Sequence, residues 1–202
     1  MVGVVVWMAR HGQTEWSASG RHTSWTELPL TSAGEQEARA LGRVVHPEQF
    51  ALVLASPRQR ALRTAELAGF EPQIDDDLVE WDYGDFEGLT TDEIQAKYPG
   101  WNLWEGPWPG GETAAQVAER TDRVIARALA QPAPARVFLF SHGHLLRVLA
   151  ARWLRQPPSS GRLLRLVTGT LSVLGWEHGE PVVEHWSVPP GGEVGHGPMS
   201  TT

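Results

Sequence analysis

The sequence predicts an α/β fold built on a mostly parallel sheet with helices on both faces. Two observations carry that expectation. Apolar runs without polar alternation recur at Val2–Ala9, Ala51–Ala55 and Val137–Phe140, the pattern of strands buried on both faces. Helical patterns lie between them, and strand–helix alternation of this kind implies parallel neighbours.

The elements follow in order. Val2–Ala9 ends directly at Arg10-His11-Gly12, with no spacer. Residues 12–30 show no period and carry turn formers, so a long loop is expected, and loops of that length are usually functional. Thr31 or Ser32 caps a helix with Ala38, Leu41 and Val45 on one face and Pro47 after its end. After Ala51–Ala55, Ser56-Pro57 reads as an N-cap with proline at the first helical position, opening a helix over Arg58–Ala68. Gln73–Asp75 is a weak third strand, Leu78–Gly88 an acidic aromatic loop, and Thr91–Tyr98 a short helix.

The glycines and prolines of Pro99–Gly111 exclude regular structure. Thr113 and Gln116 form a capping box for a long helix, apolar at Val117, Val124, Ile125, Ala128 and Leu129. Val137–Phe140 leads into Ser141-His142-Gly143-His144 and a helix over Leu145–Leu154. Leu171–Trp176 and Val182–Trp186 close the chain as paired strands around His178-Gly179-Glu180. No repeat or linker interrupts the order. Residues 1–188 are expected to form one catalytic domain, and the Gly/Pro-rich stretch 189–202 a flexible tail.

Composition narrows the function. The 202 residues, 41% of them hydrophobic and 20% charged, suffice for one substantial core. A formal charge of −7 speaks against a nucleic-acid binder, which shows a basic stripe. A few arginines in a cleft still focus a positive field on an acidic protein. The absence of cysteine removes disulfides, thiolate metal sites and cysteine nucleophiles together. The first apolar run is too short for a signal peptide, and no segment approaches the roughly 20 apolar residues of a membrane span. A cytoplasmic protein without a membrane partner is expected.

Three strands end in reactive or charged residues: Arg10-His11, then Ser56 to Arg60, then His142-Gly143. If those strands are parallel neighbours, the groups meet at one sheet edge, where ligands of open α/β folds bind. Arginine forks and helix N-termini are standard devices for holding phosphate. His11 is then the expected nucleophile toward a phosphoryl group, with one ring nitrogen free and the other fixed by a hydrogen bond. Arg10, Arg60 and a protonated His142 would neutralise the phosphoryl oxygens without a metal. Glu80, Asp82, Asp85 and Glu87 are the candidate proton donors. A carboxyl beside bound phosphate has its pKa raised by like charge and so stays protonated.

Arg10-His11-Gly12-Gln13-Thr14, Ser56-Pro57-Arg58-Gln59-Arg60-Ala61 with Thr64-Ala65, Leu78-x-Glu80 with Gly84 and Glu87-Gly88, and Ser141-His142-Gly143-His144 resemble the histidine phosphatase superfamily. Four motifs occur in that family's order. The resemblance implies a three-layer α/β/α sandwich of the phosphoglycerate mutase-like type and a phosphohistidine on His11. It also implies phosphate contacts from Arg10, Arg60 and His142, proton donation by Glu80, and a further donor in the Gly143 amide. The chain departs from the family at Ser17, where many members carry a phosphate-contacting asparagine; a serine hydroxyl is shorter and donates one bond.

Several readings stay open at this level. Arg21 and His22 are either contacts to a second substrate anion or part of a solvated loop. His142-x-His144 lacks a carboxylate at helical spacing to complete a metal site, so no metal and no cofactor is expected. His46, His178, His185 and His196 read as surface residues. Trp16, Trp25, Trp81, Trp101, Trp104 and Trp108 are expected on loops flanking the mouth, as a water-excluding lid or as ballast for an irregular segment. The partner expected is a small phosphorylated metabolite, with a homodimer left open. Hydrolysis of a phosphomonoester, a sugar phosphate among the candidates, is the first reading. The alternatives are a phosphoglycerate mutase using the same phosphohistidine and a non-catalytic phosphate-binding module.

Overall fold

The computed structural model describes residues 3–191. Six strands form one sheet in the order β3-β2-β4-β1-β5-β6. These are β1 (Val4–Arg10), β2 (Leu52–Ala55), β3 (Gln73–Ile74), β4 (Ala135–Ser141), β5 (Leu171–Glu177) and β6 (Glu180–Val188). The first four are mutually parallel, and β5 and β6 close the sheet as an antiparallel pair against β1. Helices α1 (Glu15–Ser19), α2 (Ser32–Leu41), α3 (Gln59–Leu67), α4 (Thr91–Lys97), α5 (Ala114–Leu129) and α6 (Gly143–Trp153) lie between the strands.

Alternate residues of the central strands feed two cores, which is why their sequences are apolar throughout. Val4, Val6 and Met8 of β1, with Val137 and Leu139 of β4, face the cluster that holds Val117 and Val124 of α5 and Leu145 and Leu149 of α6. Trp7, Ala9, Phe138 and Phe140 face the other cluster, with Leu41 of α2 and Ala65 of α3. Phe138 and Phe140 lie 4.4 Å apart, centroid to centroid, and Phe70 packs on both. A sheet covered on each face by helices is the three-layer sandwich the sequence implies.

The differences from the sequence reading have local causes. The loop 12–30 contains α1, five residues started by a reciprocal Thr14–Ser17 capping box and stopped by Gly20 at φ 74°. One and a half turns leave no period to detect. The helix after Ser56-Pro57 begins later, at Gln59, with Arg58 as an N-cap whose side chain makes no capping bond. Ser56 Oγ still accepts the Arg58 amide at 3.3 Å, but the helix opens three residues beyond it, so Ser56 is not the N-cap. Helix α2 ends at Leu41, with Val45 buried beyond it, and α6 starts two residues early, at Gly143. Leu129, expected on the apolar face of α5, is 43% exposed at the helix end. The capping box at Thr113 and Gln116 forms as expected. Of the stretch 189–202, residues 192–202 lie outside the described residues, as does His196.

Candidate active site

Sheet register assembles the site. Arg10 pairs with Ser141 across β1 and β4, and the His11 amide donates to the Ser141 carbonyl at 2.9 Å. On the far side of β4, Ala55 pairs with Phe140, and the Ser56 amide donates to the Phe140 carbonyl at 3.0 Å. The three charged motifs therefore finish side by side at the carboxyl ends of adjacent parallel strands. The rings of His11 and His142 meet edge to face with centroids 5.2 Å apart.

His11 is buried, and its Nδ1 lies 2.8 Å from the Gly12 carbonyl oxygen. A carbonyl only accepts, so Nδ1 carries the hydrogen and Nε2 keeps its lone pair. Burial, reinforced by Arg60 and Arg10, holds the imidazole pKa well below its ordinary value. The ring is thus neutral and nucleophilic at Nε2. The turn that aims it needs glycine, because a Cβ on Gly12 would stand 2.3 Å from the Gly34 carbonyl oxygen.

His142 is fully buried with Nε2 2.7 Å from Ser56 Oγ. That oxygen already accepts from the Arg58 amide at 3.3 Å, and the acceptor within reach of its own hydrogen is His142 Nε2. The hydroxyl therefore donates to Nε2, and Nδ1 bears a hydrogen that no group among the described residues accepts. The expected protonated His142 is corrected here. Burial, with Arg60 and His11 alongside, lowers its pKa well below the ordinary value, so the ring offers one N–H and no charge.

Arg10 donates from Nη1 to the Leu166 carbonyl at 2.6 Å and leaves Nε unpartnered. Arg60 places its Nη groups on the carbonyls of Thr23, Ser24 and Thr26 at 3.1, 2.9 and 3.2 Å and also leaves Nε unpartnered. Burial lowers both pKa values while the Glu80 charge opposes it, and a guanidinium stays charged regardless. Arg10 Nε, Arg60 Nε and His142 Nδ1 are three buried donors, on residues that cluster about His11, without acceptors among the described residues. Unpaired buried donors cost about 1–3 kcal/mol each, so such a set is made for an anion. The Ser24 and Thr26 amides donate to Glu87 at 2.8–3.0 Å, so the loop that Arg60 grips is held from both sides.

Glu80 is 5% exposed and accepts three amide bonds, from Trp81 and Leu145 to Oε1 at 2.8 Å each and from His144 to Oε2 at 3.0 Å. The first turn of α6 thus fixes this carboxylate, and Oε2 retains a free lone pair. Gly143, which opens α6, leaves room for the Arg10 guanidinium; a Cβ there would lie 3.2 Å from Arg10 Cζ and Nε.

A cavity of about 340 Å³ opens over these groups. Arg10, His11, Glu80 and Gly143 reach its wall, whereas Arg60 and His142 are buried behind it. Ser17 lines the cavity, but its hydroxyl donates to the Thr14 carbonyl at 3.0 Å and accepts from the Thr14 amide at 2.8 Å. Arg21 lines it too, yet is tied to the Gly88 carbonyl at 2.6 Å and paired with Glu93 at 3.1 Å. His22 donates from Nδ1 to the Leu89 carbonyl at 2.8 Å, and burial lowers its pKa. Neither is the free cation a second substrate anion calls for.

Sequence reasoning missed Arg147 and Tyr83. Arg147 lines the cavity, stacks over Trp104 at 4.7 Å and donates to the Gly161 and Arg162 carbonyls, with no carboxylate partner among the described residues. Its spacing from His144, three residues along a helix, was the available signal, since i and i+3 share a face. The Tyr83 hydroxyl shares a hydrogen bond of 2.6 Å with His144 Nδ1, a contact with no sequence signature. Of the loop tryptophans, Trp101 and Trp104 line the cavity; Trp25 is 54% exposed and Trp81 fully buried, so the expectation that all six flank the mouth is corrected. Among the described residues no three His, Asp or Glu side chains group to hold a metal, and no helix is long and apolar enough to cross a membrane.

The chain is 39% identical to an acid phosphatase of Mycobacterium tuberculosis over 85% of this chain and 86% of that one. It is 36% identical to a sedoheptulose 1,7-bisphosphatase of Saccharomyces cerevisiae, covering 72% of this chain and 66% of the relative. A probable phosphoglycerate mutase of Salmonella choleraesuis is 30% identical over 95% and 94% of the two chains. The solved structure of the open reading frame Rv3214 of Mycobacterium tuberculosis superposes with a TM-score of 0.88 at 36% identity, covering 92% of this chain and 98% of that one. The family model of the histidine phosphatase superfamily, branch 1, matches residues 6–189, and the chain belongs to that family.

Proposed function

We propose that the protein is a metal-independent phosphomonoesterase that passes the phosphoryl group of a small metabolite first to His11 and then to water. The observation that carries this reading is the state of His11: neutral, with Nδ1 pinned to the Gly12 carbonyl and Nε2 bare, beside buried donors that lack acceptors. Nε2 attacks phosphorus as the ester P–O bond breaks, and the leaving oxygen takes a proton from Glu80. Water then attacks phosphorus and gives its proton to Glu80 as the P–N bond breaks, its electron pair returning to Nε2 and phosphate leaving. Arg10, Arg60 and the His142 N–H offset charge on the phosphoryl oxygens throughout. No cofactor enters these steps.

A cavity of about 340 Å³ suits a sugar-sized ester, and the sedoheptulose 1,7-bisphosphatase relative supports phosphorylated sugars as the class. A second anionic group would meet Arg147 rather than Arg21, which Glu93 neutralises. Action on such metabolites fits a cytoplasmic setting. The test is phosphate release from p-nitrophenyl phosphate and a panel of sugar phosphates with excess chelator. Turnover should persist, and His11→Ala should abolish both turnover and phosphoenzyme. Loss of activity on chelation would overturn the metal-free reading, and interconversion of phosphoglycerates outpacing phosphate release would favour a mutase.

A further inference from the structure

We propose that Arg120, clamped to Glu112, is a positioning residue that sets Glu80 for proton transfer; the proposal rests on the role given to Glu80 above. Arg120, on α5, is 5% exposed. Its Nε and Nη2 each take one oxygen of the Glu112 carboxylate at 2.8 Å. Nη1 donates to the carbonyls of Asp77 at 2.9 Å and Val79 at 2.6 Å, and Nη2 to the carbonyl of Glu80 itself at 3.1 Å.

Glu112 holds the other side of the same segment. Its Oε2 accepts the Asp82 amide at 2.9 Å, its carbonyl accepts Trp81 Nε1 at 2.8 Å, and its amide donates to the Asp82 carbonyl at 2.9 Å. Glu80 is therefore gripped through its own backbone and through both flanking residues. The segment is irregular, so its carbonyls point where no ladder receives them. A planar fork of five donors meets three such carbonyls and a carboxylate at once, which a lysine ammonium cannot do.

Packing alone does not call for this arrangement, since buried ion pairs are often replaced by apolar residues without loss of stability. What the clamp adds is placement. The Glu80 carboxylate is bound to the first turn of α6 and its carbonyl to Arg120 of α5, so the acid is suspended between two helices. Misplacement of a catalytic group by about 1 Å costs on the order of a hundredfold in rate. The cost falls on proton transfer, so it grows with the basicity of the leaving oxygen. An aryl oxide departs with little help, whereas an alkoxide needs the proton.

The experiment compares kcat for glucose 6-phosphate and p-nitrophenyl phosphate in Arg120→Met, Arg120→Lys, Glu112→Gln and Glu80→Gln, with circular dichroism to verify folding. Arg120→Met and Glu112→Gln should each lower the alkyl-to-aryl kcat ratio by about tenfold or more, with part of it recovered in Arg120→Lys. A merely structural role would lower both substrates together and leave the ratio unchanged, which overturns the proposal. If the Arg120 variants do not fold, Glu112→Gln, of equal size and still an acceptor, decides alone. Should Glu80→Gln itself leave the ratio unchanged, the assignment of Glu80 fails and the clamp with it; if only the clamp variants leave it unchanged, the clamp alone fails.

Discussion

The Ser56 hydroxyl stands 2.7 Å from His142 Nε2 and decides which nitrogen of that ring carries hydrogen. Because Nε2 is occupied as an acceptor, the N–H lies on Nδ1, where no group among the described residues meets it. A residue that reads in the sequence as a helix cap also holds the tautomer of a buried histidine.

Ser56→Ala should therefore impair the enzyme without touching substrate. The buried Nε2 loses its partner, which costs about 1–3 kcal/mol of stability, and the ring is free to take the other tautomer. With the hydrogen on Nε2, Nδ1 would present a lone pair to an anion. A fall in kcat/KM of about tenfold or more is expected, with substantial recovery in Ser56→Thr, which keeps the hydroxyl. Equal kcat/KM in Ser56→Ala and the parent would show that the lock is idle.

Two glycines at the site should respond differently to alanine. At Gly143 the added Cβ would meet the end of the Arg10 side chain at 3.2 Å, which can shift. Gly143→Ala should fold normally and lose phosphate affinity, read as a higher KI for inorganic phosphate. At Gly12 the Cβ would meet the Gly34 carbonyl oxygen at 2.3 Å, and backbone cannot step aside. Gly12→Ala should lower the unfolding free energy by about 2–4 kcal/mol in urea titrations. The same response from both variants would contradict this division.

The fold was legible because β1, β4 and β2 are short apolar runs that each end at a charged motif, and parallel pairing then brings the motifs together without further information. The meeting of Arg10, His11 and Ser56 follows from that pairing, whereas Glu80 is brought in separately by the amides of α6. What was not legible depends on side chains meeting across the fold. Nothing near Arg21 in sequence announces that Glu93, on α4, cancels its charge. Ser56 looks like a cap because the histidine that recruits it lies 86 residues away. His142 looked like a cation because burial, which lowers its pKa, is a property of the packed sheet edge.

Arg147 should discriminate among substrates where Arg21 does not. It lies over Trp104 and is held by two carbonyls, so its charge is pre-oriented at the cavity wall. Arg147→Met should raise KM for a sugar bisphosphate about tenfold or more relative to a sugar monophosphate, the worth of one charge-assisted hydrogen bond. Arg21→Met should not change that ratio. A parallel rise in KM for both substrates in Arg147→Met would place the second anion elsewhere.

Stability should fall steeply on mild acidification. His11, His22, His142 and His144 are all held below the ordinary imidazole pKa, burial being the leading cause for each. In the unfolded chain they titrate near pH 6.5, so below that pH the unfolded state binds protons that the folded state refuses. The contribution of these groups is thus fully present above about pH 7 and is lost as pH falls through the unfolded value toward the folded ones. Each contributes a slope of at most about 1.4 kcal/mol per pH unit, and His11, His142 and His144, held furthest below the ordinary value, carry most of it. Catalysis should not follow the same curve at first, because burial holds the His11 pKa below the ordinary imidazole range and the acid limb of kcat/KM lies lower with it. Urea midpoints measured from pH 8 to pH 5 alongside kcat/KM test both halves. A midpoint that stays flat between pH 7 and 5.5 would mean that the imidazoles are protonated in the folded protein and that His11 is not the free base at Nε2.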